Sequence, residues 1–217
     1  MVDTGKQAVA LARQTPNRVI RELYEQFNAY GRAYEASLDT YTAPDNFLAL
    51  ANIAASSALD NICNAITYGS VVKRSQSVPS APEPKLEQPA GTLDKAEPLV
   101  AASDSACIDL ITLREGMISD TAAWVSEDPN IPSSEWSPER TEMAQATATA
   151  LNAFVERLRS TGKKGASYAF QDIASLSALY FRAYAESLET YVPADNPLLL
   201  VGSRTVNLLG AACEAVK

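Results

Sequence analysis

The stretch RAYEASLDTYTAPDN, Arg32 to Asn46, returns 150 residues later as RAYAESLETYVPADN, Arg182 to Asn196, with nine of the fifteen positions identical. Chance at ordinary residue frequencies would give about one identity, so the echo is read as an internal duplication. A chain that writes a segment twice must fold it twice, and the flanking residues say into what. From Pro16 to Tyr41 the apolar residues Ile20, Leu23, Phe27, Tyr30, Tyr34, Leu38 and Tyr41 step by three or four, the signature of one helix face. Ile173, Leu176, Tyr180, Tyr184, Leu188 and Tyr191 repeat the stripe over Ser167 to Tyr191. A second apolar run follows each copy, from Phe47 to about Tyr68 and from Leu198 onward. Each copy therefore reads as a helix hairpin.

The turn residues suggest where the helices begin. Thr15–Pro16 and Ser137–Pro138 place a capping hydroxyl before a proline, which is preorganised for the first helical position. Pro197 pushes Asn196 out of the helical region, so Asn196 and its counterpart Asn46 are expected to cap the second helices. Asp45 and Asp195, one residue earlier, would face the positive end of the helix dipole. A short helix over Thr4 to Gln14 is expected before the first hairpin. Two further helices are expected at Leu99 to Val125 and Pro138 to Arg159, and no segment shows the period-two alternation of a strand.

Residues 73–98 carry five prolines and little apolar content, so they read as an extended, mobile linker. The expected fold is all-α: a helical bundle of about six helices built from two duplicated helix hairpins, with a long Pro-rich linker. Residues 1–72 form the first repeat, 73–98 the linker, and 99–217 the second repeat with two additional N-terminal helices.

Within the repeat, Ala33 and Ser37, echoed by Ala183 and Ser187, suit close helix approach, and the run AASSA at 54–58 offers a matching small surface across the hairpin. The tyrosines lie on the packing stripe, where a buried phenol needs a partner for its hydroxyl. Tyrosine is also enriched at interfaces. Arg32 and Arg182 persist in both copies while the neighbouring acid moves from Glu35 to Glu186, which points to a partner elsewhere. The candidate interaction residues are Arg32, Tyr34, Tyr41, Arg182, Tyr184 and Tyr191, with the two arginines expected near a pseudo-twofold contact.

Much chemistry is excluded. The chain has no histidine, which removes serine and cysteine nucleophile systems built on imidazole, the ligands of ferritin-like di-iron bundles, and histidine-held haem. SVVK, Ser70 to Lys73, lacks the companion motifs of serine acyl-enzymes, and STGKKGAS, Ser160 to Ser167, lacks the full phosphate-loop spacing. No cofactor or metal site is expected. Cys63, Cys107 and Cys213 form an odd set without C-x-x-C spacing, so no disulfide framework is expected, Cys107 reads as a small buried apolar residue, and a reducing compartment fits. The net charge of −8 should repel phosphate backbones and anionic lipid, so neither nucleic acid nor membrane is expected as a partner. Neither a signal peptide nor a membrane span is read in the sequence, and the expected location is the cytoplasm, or the host cytoplasm or virion for a viral chain.

The leading functional reading is a non-enzymatic helical interaction or structural protein that acts by self-assembly or by docking to a partner protein; a viral or phage structural component is one concrete form of it. The alternatives are a module holding an apolar small molecule or pigment between the paired hairpins, and an enzyme that works without histidine.

Overall fold

A computed structural model describes residues 2–74, 96–100, 105–165 and 167–217. Among the described residues there are eight α-helices and no strand: α1 Val2–Gln14, α2 Arg18–Ser37, α3 Asn46–Thr67, α4 Ser70–Arg74, α5 Ala106–Val125, α6 Pro138–Gly162, α7 Tyr168–Ser187 and α8 Asn196–Glu214. The all-α expectation holds, with more helices than the six expected. The short α4 was not anticipated because Gly69, at φ +75°, ends α3 in the left-handed region and reads as a terminus. The chain then re-enters a helix, with the Ser70 hydroxyl donating to the Ala65 carbonyl at 3.0 Å.

α2 and α7 each span 20 residues, and their first residues stand 150 positions apart. Each ends in a 3-10 turn, Leu38–Thr40 or Leu188–Thr190, followed by a second, Ala43–Asp45 or Pro193–Asp195, before α3 or α8 begins. A preceding helix packs on each, α1 on α2 and α6 on α7. The caps differ from expectation. Asn17, not Thr15, caps α2 by accepting from the Ile20 amide at 3.1 Å, and Ser167 does the same for α7 with Phe170. The Thr15 hydroxyl instead turns back to the Leu11 carbonyl, at 2.8 Å. Ser137 caps α6 as expected, accepting from the Arg140 amide.

Asn46 and Asn196 are not caps, because both are already helical. Pro44 and Pro193 start the turn earlier, and the aspartates close it: Asp45 Oδ2 accepts from the Thr42 amide at 2.7 Å, and Asp195 Oδ2 from the Val192 amide at 3.1 Å. This is the reciprocal half of a capping box, with the carboxylate at the third position.

α2, α3, α7 and α8 form a four-helix core in which α3 meets α8 more extensively than it meets its own hairpin partner α2. The buried face of α3 is mainly alanine, Ala51, Ala54, Ala55, Ala58 and Ala65, while α8 buries Leu198, Val201, Val206, Leu208 and Leu209. The small run of α3 thus serves the junction between hairpins as well as hairpin closure.

Corresponding positions have exchanged sizes. Gly31 on α2 faces Asn52 on α3, where a Cβ would lie 3.1 Å from the amide nitrogen. Their counterparts are Phe181 and Gly202, where a Cβ on the glycine would meet the ring at 2.9 Å. The hydrogen bond at this level also reverses. Asn52 Nδ2 donates to the Phe27 carbonyl at 2.6 Å, whereas Ser177 Oγ donates to the Gly202 carbonyl at 2.9 Å.

α5 lies over α6 and α8. Cys107 on α5 and Cys213 on α8 form a disulfide with a Cα–Cα separation of 5.3 Å, which corrects the expectation of unpaired thiols. A separation of 106 residues hid the pair in sequence, since only helix packing brings the two together. The reducing-compartment reading rested on that expectation and loses its ground. Cys63, the counterpart of Cys213, is free and exposed.

The linker expectation falls mostly on residues 75–95, outside the described residues. Both flanks are held: Arg74 is buried, and the Ala96 and Glu97 carbonyls accept from Arg32 and Gln26 of α2. Leu99 continues this seam, with its amide on the Tyr30 hydroxyl and its carbonyl on Ser167 Oγ. Among the described residues no helix is long and apolar enough to cross a membrane.

Opening the disulfide should release the constraint on a loop of about a hundred residues, worth roughly 2–4 kcal/mol. Denaturant unfolding of Cys107→Ser with Cys213→Ser should show that loss, and the denatured, unreduced wild type should titrate a single thiol, Cys63.

Candidate functional site

The turns that join each hairpin, here called tip one (residues 34–45) and tip two (residues 184–195), carry Tyr, Leu, Thr, Tyr and Asp at corresponding positions. Both tips fold alike. The rings of Tyr34 and Tyr41 meet edge to face with centroids 6.3 Å apart at 89°, and those of Tyr184 and Tyr191 at 6.2 Å and 83°. Ser37 Oγ and Ser187 Oγ donate to the Tyr34 and Tyr184 carbonyls at 2.8 and 2.7 Å. These serines satisfy the orphan carbonyls of a helix end.

The surroundings of the tips differ. Tip two is roofed by the end of α5, the loop after it and the start of α6. Trp124 Nε1 donates to the Tyr184 hydroxyl at 2.8 Å. The Tyr191 hydroxyl donates to the Pro129 carbonyl at 2.7 Å, and the Tyr191 carbonyl accepts from the Ser133 amide at 2.9 Å. Trp136 stacks on Tyr191 with centroids 5.6 Å apart, and the Arg140 guanidinium lies 5.6 and 5.4 Å from the Trp124 and Trp136 rings. Burial raises the pKa of both phenols, Tyr191 to about 12.

From the other side α4 closes the turn. Arg74 donates to Asp195 through Nε at 3.2 Å and Nη2 at 2.5 Å, and to the hydroxyl and carbonyl of Thr190 at 2.8 and 3.1 Å. Asp195 is fully buried, so this bidentate pair is what makes its burial tolerable.

Tip one has the same side chains and none of that cover. Tyr41 and Leu38 are each 48% exposed, whereas Tyr191 and Leu188 are 1% and 3% exposed. Among the described residues the Tyr34, Tyr41 and Thr40 side chains make no hydrogen bond. Asp45 is half-buried, and its pKa is lowered by the Thr42 hydroxyl and amide.

The arginines do not meet. Arg32 Nη2 donates to the Ala96 carbonyl at 2.8 Å, and Arg182 pairs with Glu156 on α6. The position where α2 faces α7 is held instead by Glu22 and its counterpart Asp172, bridged by Arg18 at 3.0 Å to Glu22 and 2.6 Å to Asp172. Burial first, then the neighbouring Asp172, pushes Glu22 up to about 7 against the pull of Arg18.

Sequence reasoning singled out the tyrosines and named neither Trp124, Trp136 and Arg140 as the surroundings of Tyr184 and Tyr191 nor Arg74 as the partner of Asp195. The available signal was that both tryptophans of the chain flank one polar loop. A groove of about 360 Å³ lies beside the roof, among α6, Ser133, Trp136 and the end of α7. It is not between the hairpins, where a ligand was considered. Among the described residues no group of three acidic or cysteine side chains could hold a metal ion.

A family model described as mycobacterial ESX-1 associated protein matches residues 1–217. The chain belongs to that family. A protein of Mycolicibacterium smegmatis strain MKD8, described as uncharacterized, is 35% identical over 215 residues, which is 99% of this chain and 57% of that relative. The chain therefore spans little more than half of the relative's length. No solved structure matches. Family and relative are both mycobacterial, so the viral or phage form of the structural reading, and the virion location with it, is set aside.

Two outcomes are expected. Arg74→Met should strand a buried carboxylate and cost about 3–5 kcal/mol in denaturant unfolding, while Asp45→Asn in the open tip should leave the midpoint nearly unchanged. Because folding raises the pKa of Glu22 from 4.5 to about 7, the folded state holds that proton more tightly, and stability should decline as pH rises through that window. The decline should be roughly 2–3 kcal/mol, and Glu22→Gln should flatten it in unfolding measured across pH.

Proposed function

We propose that this chain is a non-enzymatic helical adaptor of the ESX-1 secretion system, acting by docking to a protein partner. The single observation that carries this reading is the open tip. Of two similarly built hairpin ends, one is sealed by helices of the same chain and the other presents Leu38 and Tyr41 to solvent, with Tyr34 half-buried beside them. Apolar surface kept in a defined shape but uncovered marks an interaction site. The family description supports the setting, since it names association with ESX-1.

The matched element bounds and paired size exchange favour descent of the two halves from one duplicated unit. On that reading tip two records an interaction completed within the chain, and tip one the same interaction left for another molecule. The enzyme reading gains no support, since the buried ionisable cluster, Arg18, Glu22 and Asp172, lies outside the groove beside the roof. The ligand reading gains no support from the groove beside the roof, which does not lie between the hairpins.

Deletion of the gene in a mycobacterium that carries ESX-1 should reduce export of ESX-1 substrates in culture filtrate, with restoration by the wild-type gene. Unchanged export, together with no ESX-1 component cross-linked to the purified chain, would overturn the proposal.

A further inference from the structure

Tip one has a fully specified template for its missing cover, because the same five side chains at tip two are covered in the same chain. Tip two receives three things: an indole N–H on the first tyrosine, an aromatic ring and a backbone carbonyl on the second, and a guanidinium on the aspartate and threonine. Tip one holds its tyrosine pair in the same edge-to-face geometry without that cover, so the receiving surface is preformed. Its stretch of chain also carries three acidic residues, Glu35, Asp39 and Asp45, and Arg32 is engaged by the Ala96 carbonyl.

Resting on the adaptor reading, we infer that tip one docks a helix hairpin of a different protein, which presents a tryptophan N–H to Tyr34, an aromatic ring to Tyr41, and an arginine to Asp45 and Thr40. A second copy of this chain does not supply that set, because its two tryptophans are both used at its own tip two. The chain's own residues 75–95 contain neither tryptophan nor arginine. The occupant we infer is a separate polypeptide that combines the indole and aromatic ring of the α5–α6 roof with a guanidinium in the place of Arg74 on α4.

The roof itself is the probe. A labelled synthetic peptide of residues 117–145 contains Trp124, Pro129, Trp136 and Arg140, and its binding to the intact chain is read by fluorescence anisotropy. One peptide should bind per chain. Binding should weaken at least tenfold when the chain carries Tyr41→Ala with Asp45→Asn, and likewise when the peptide carries Trp124→Ala with Trp136→Ala. Tyr41 is exposed and Asp45 half-buried, and circular dichroism with thermal melting checks that the fold is kept. Absence of binding at millimolar peptide, or binding indifferent to the tip-one substitutions, overturns the inference. A concentration-dependent dimer in sedimentation that Tyr41→Ala abolishes overturns it in favour of a second copy. Binding that appears only after residues 76–94 are replaced by a glycine-serine linker overturns it in favour of the chain's own segment. The peptide assay contains no secretion component, so its failure leaves the export test standing, and failure of the export test leaves the peptide result standing.

Discussion

The seam between α3 and α8 is the contact on which the other helices depend. Alanines along α3 let the bulkier side chains of α8 approach its backbone, and each fully buried leucine or valine there contributes roughly 2 kcal/mol. Once this pair is fixed, α2 packs on α3 and α7 on α8, and α2 and α7 meet along a thinner contact. That thin contact admits an ion cluster, where Arg18 holds Glu22 and Asp172 apart from solvent. The apolar seam supplies the stability that makes so costly a charged group tolerable.

The two tips show how little of a residue's role lies in its own identity. Tyr41 and Tyr191 each follow a threonine and each meet a tyrosine ring seven positions earlier, yet Tyr41 is surface and Tyr191 is core. The difference is made by α4 and by the region from Trp124 to Arg140, which surround tip two. Asp45 and Asp195 do the same local work, each closing its turn through a backbone amide. Only Asp195 is also buried, and only Asp195 has an arginine.

Helical class could be read from spacing, because a stripe at three and four is a local property of the chain. Three caps were misassigned by one or two residues because Asn17, Asp45 and Asp195 compete with nearby Thr15, Asn46 and Asn196, which look as suitable in sequence. The partners of the site residues were not legible. Arg74 reaches Asp195 across 121 positions, and Cys107 reaches Cys213 across 106. Such pairings are decided by packing angles that no local pattern encodes. The arginines were rightly expected to have partners elsewhere, but the partners are a backbone carbonyl and a glutamate on α6, and the contact between corresponding positions fell to Glu22 and Asp172.

The exchange of sizes at Gly31 and Asn52 against Phe181 and Gly202 has a genetic consequence. A crossover that moved the segment around position 181 into the first half, without position 202, would set a phenylalanine against Asn52. The reciprocal product would leave a glycine opposite Gly202 and a void in the core. Recombination between the two similar coding segments is thus penalised by packing at this one level, and the halves stay distinct even where their tips remain alike.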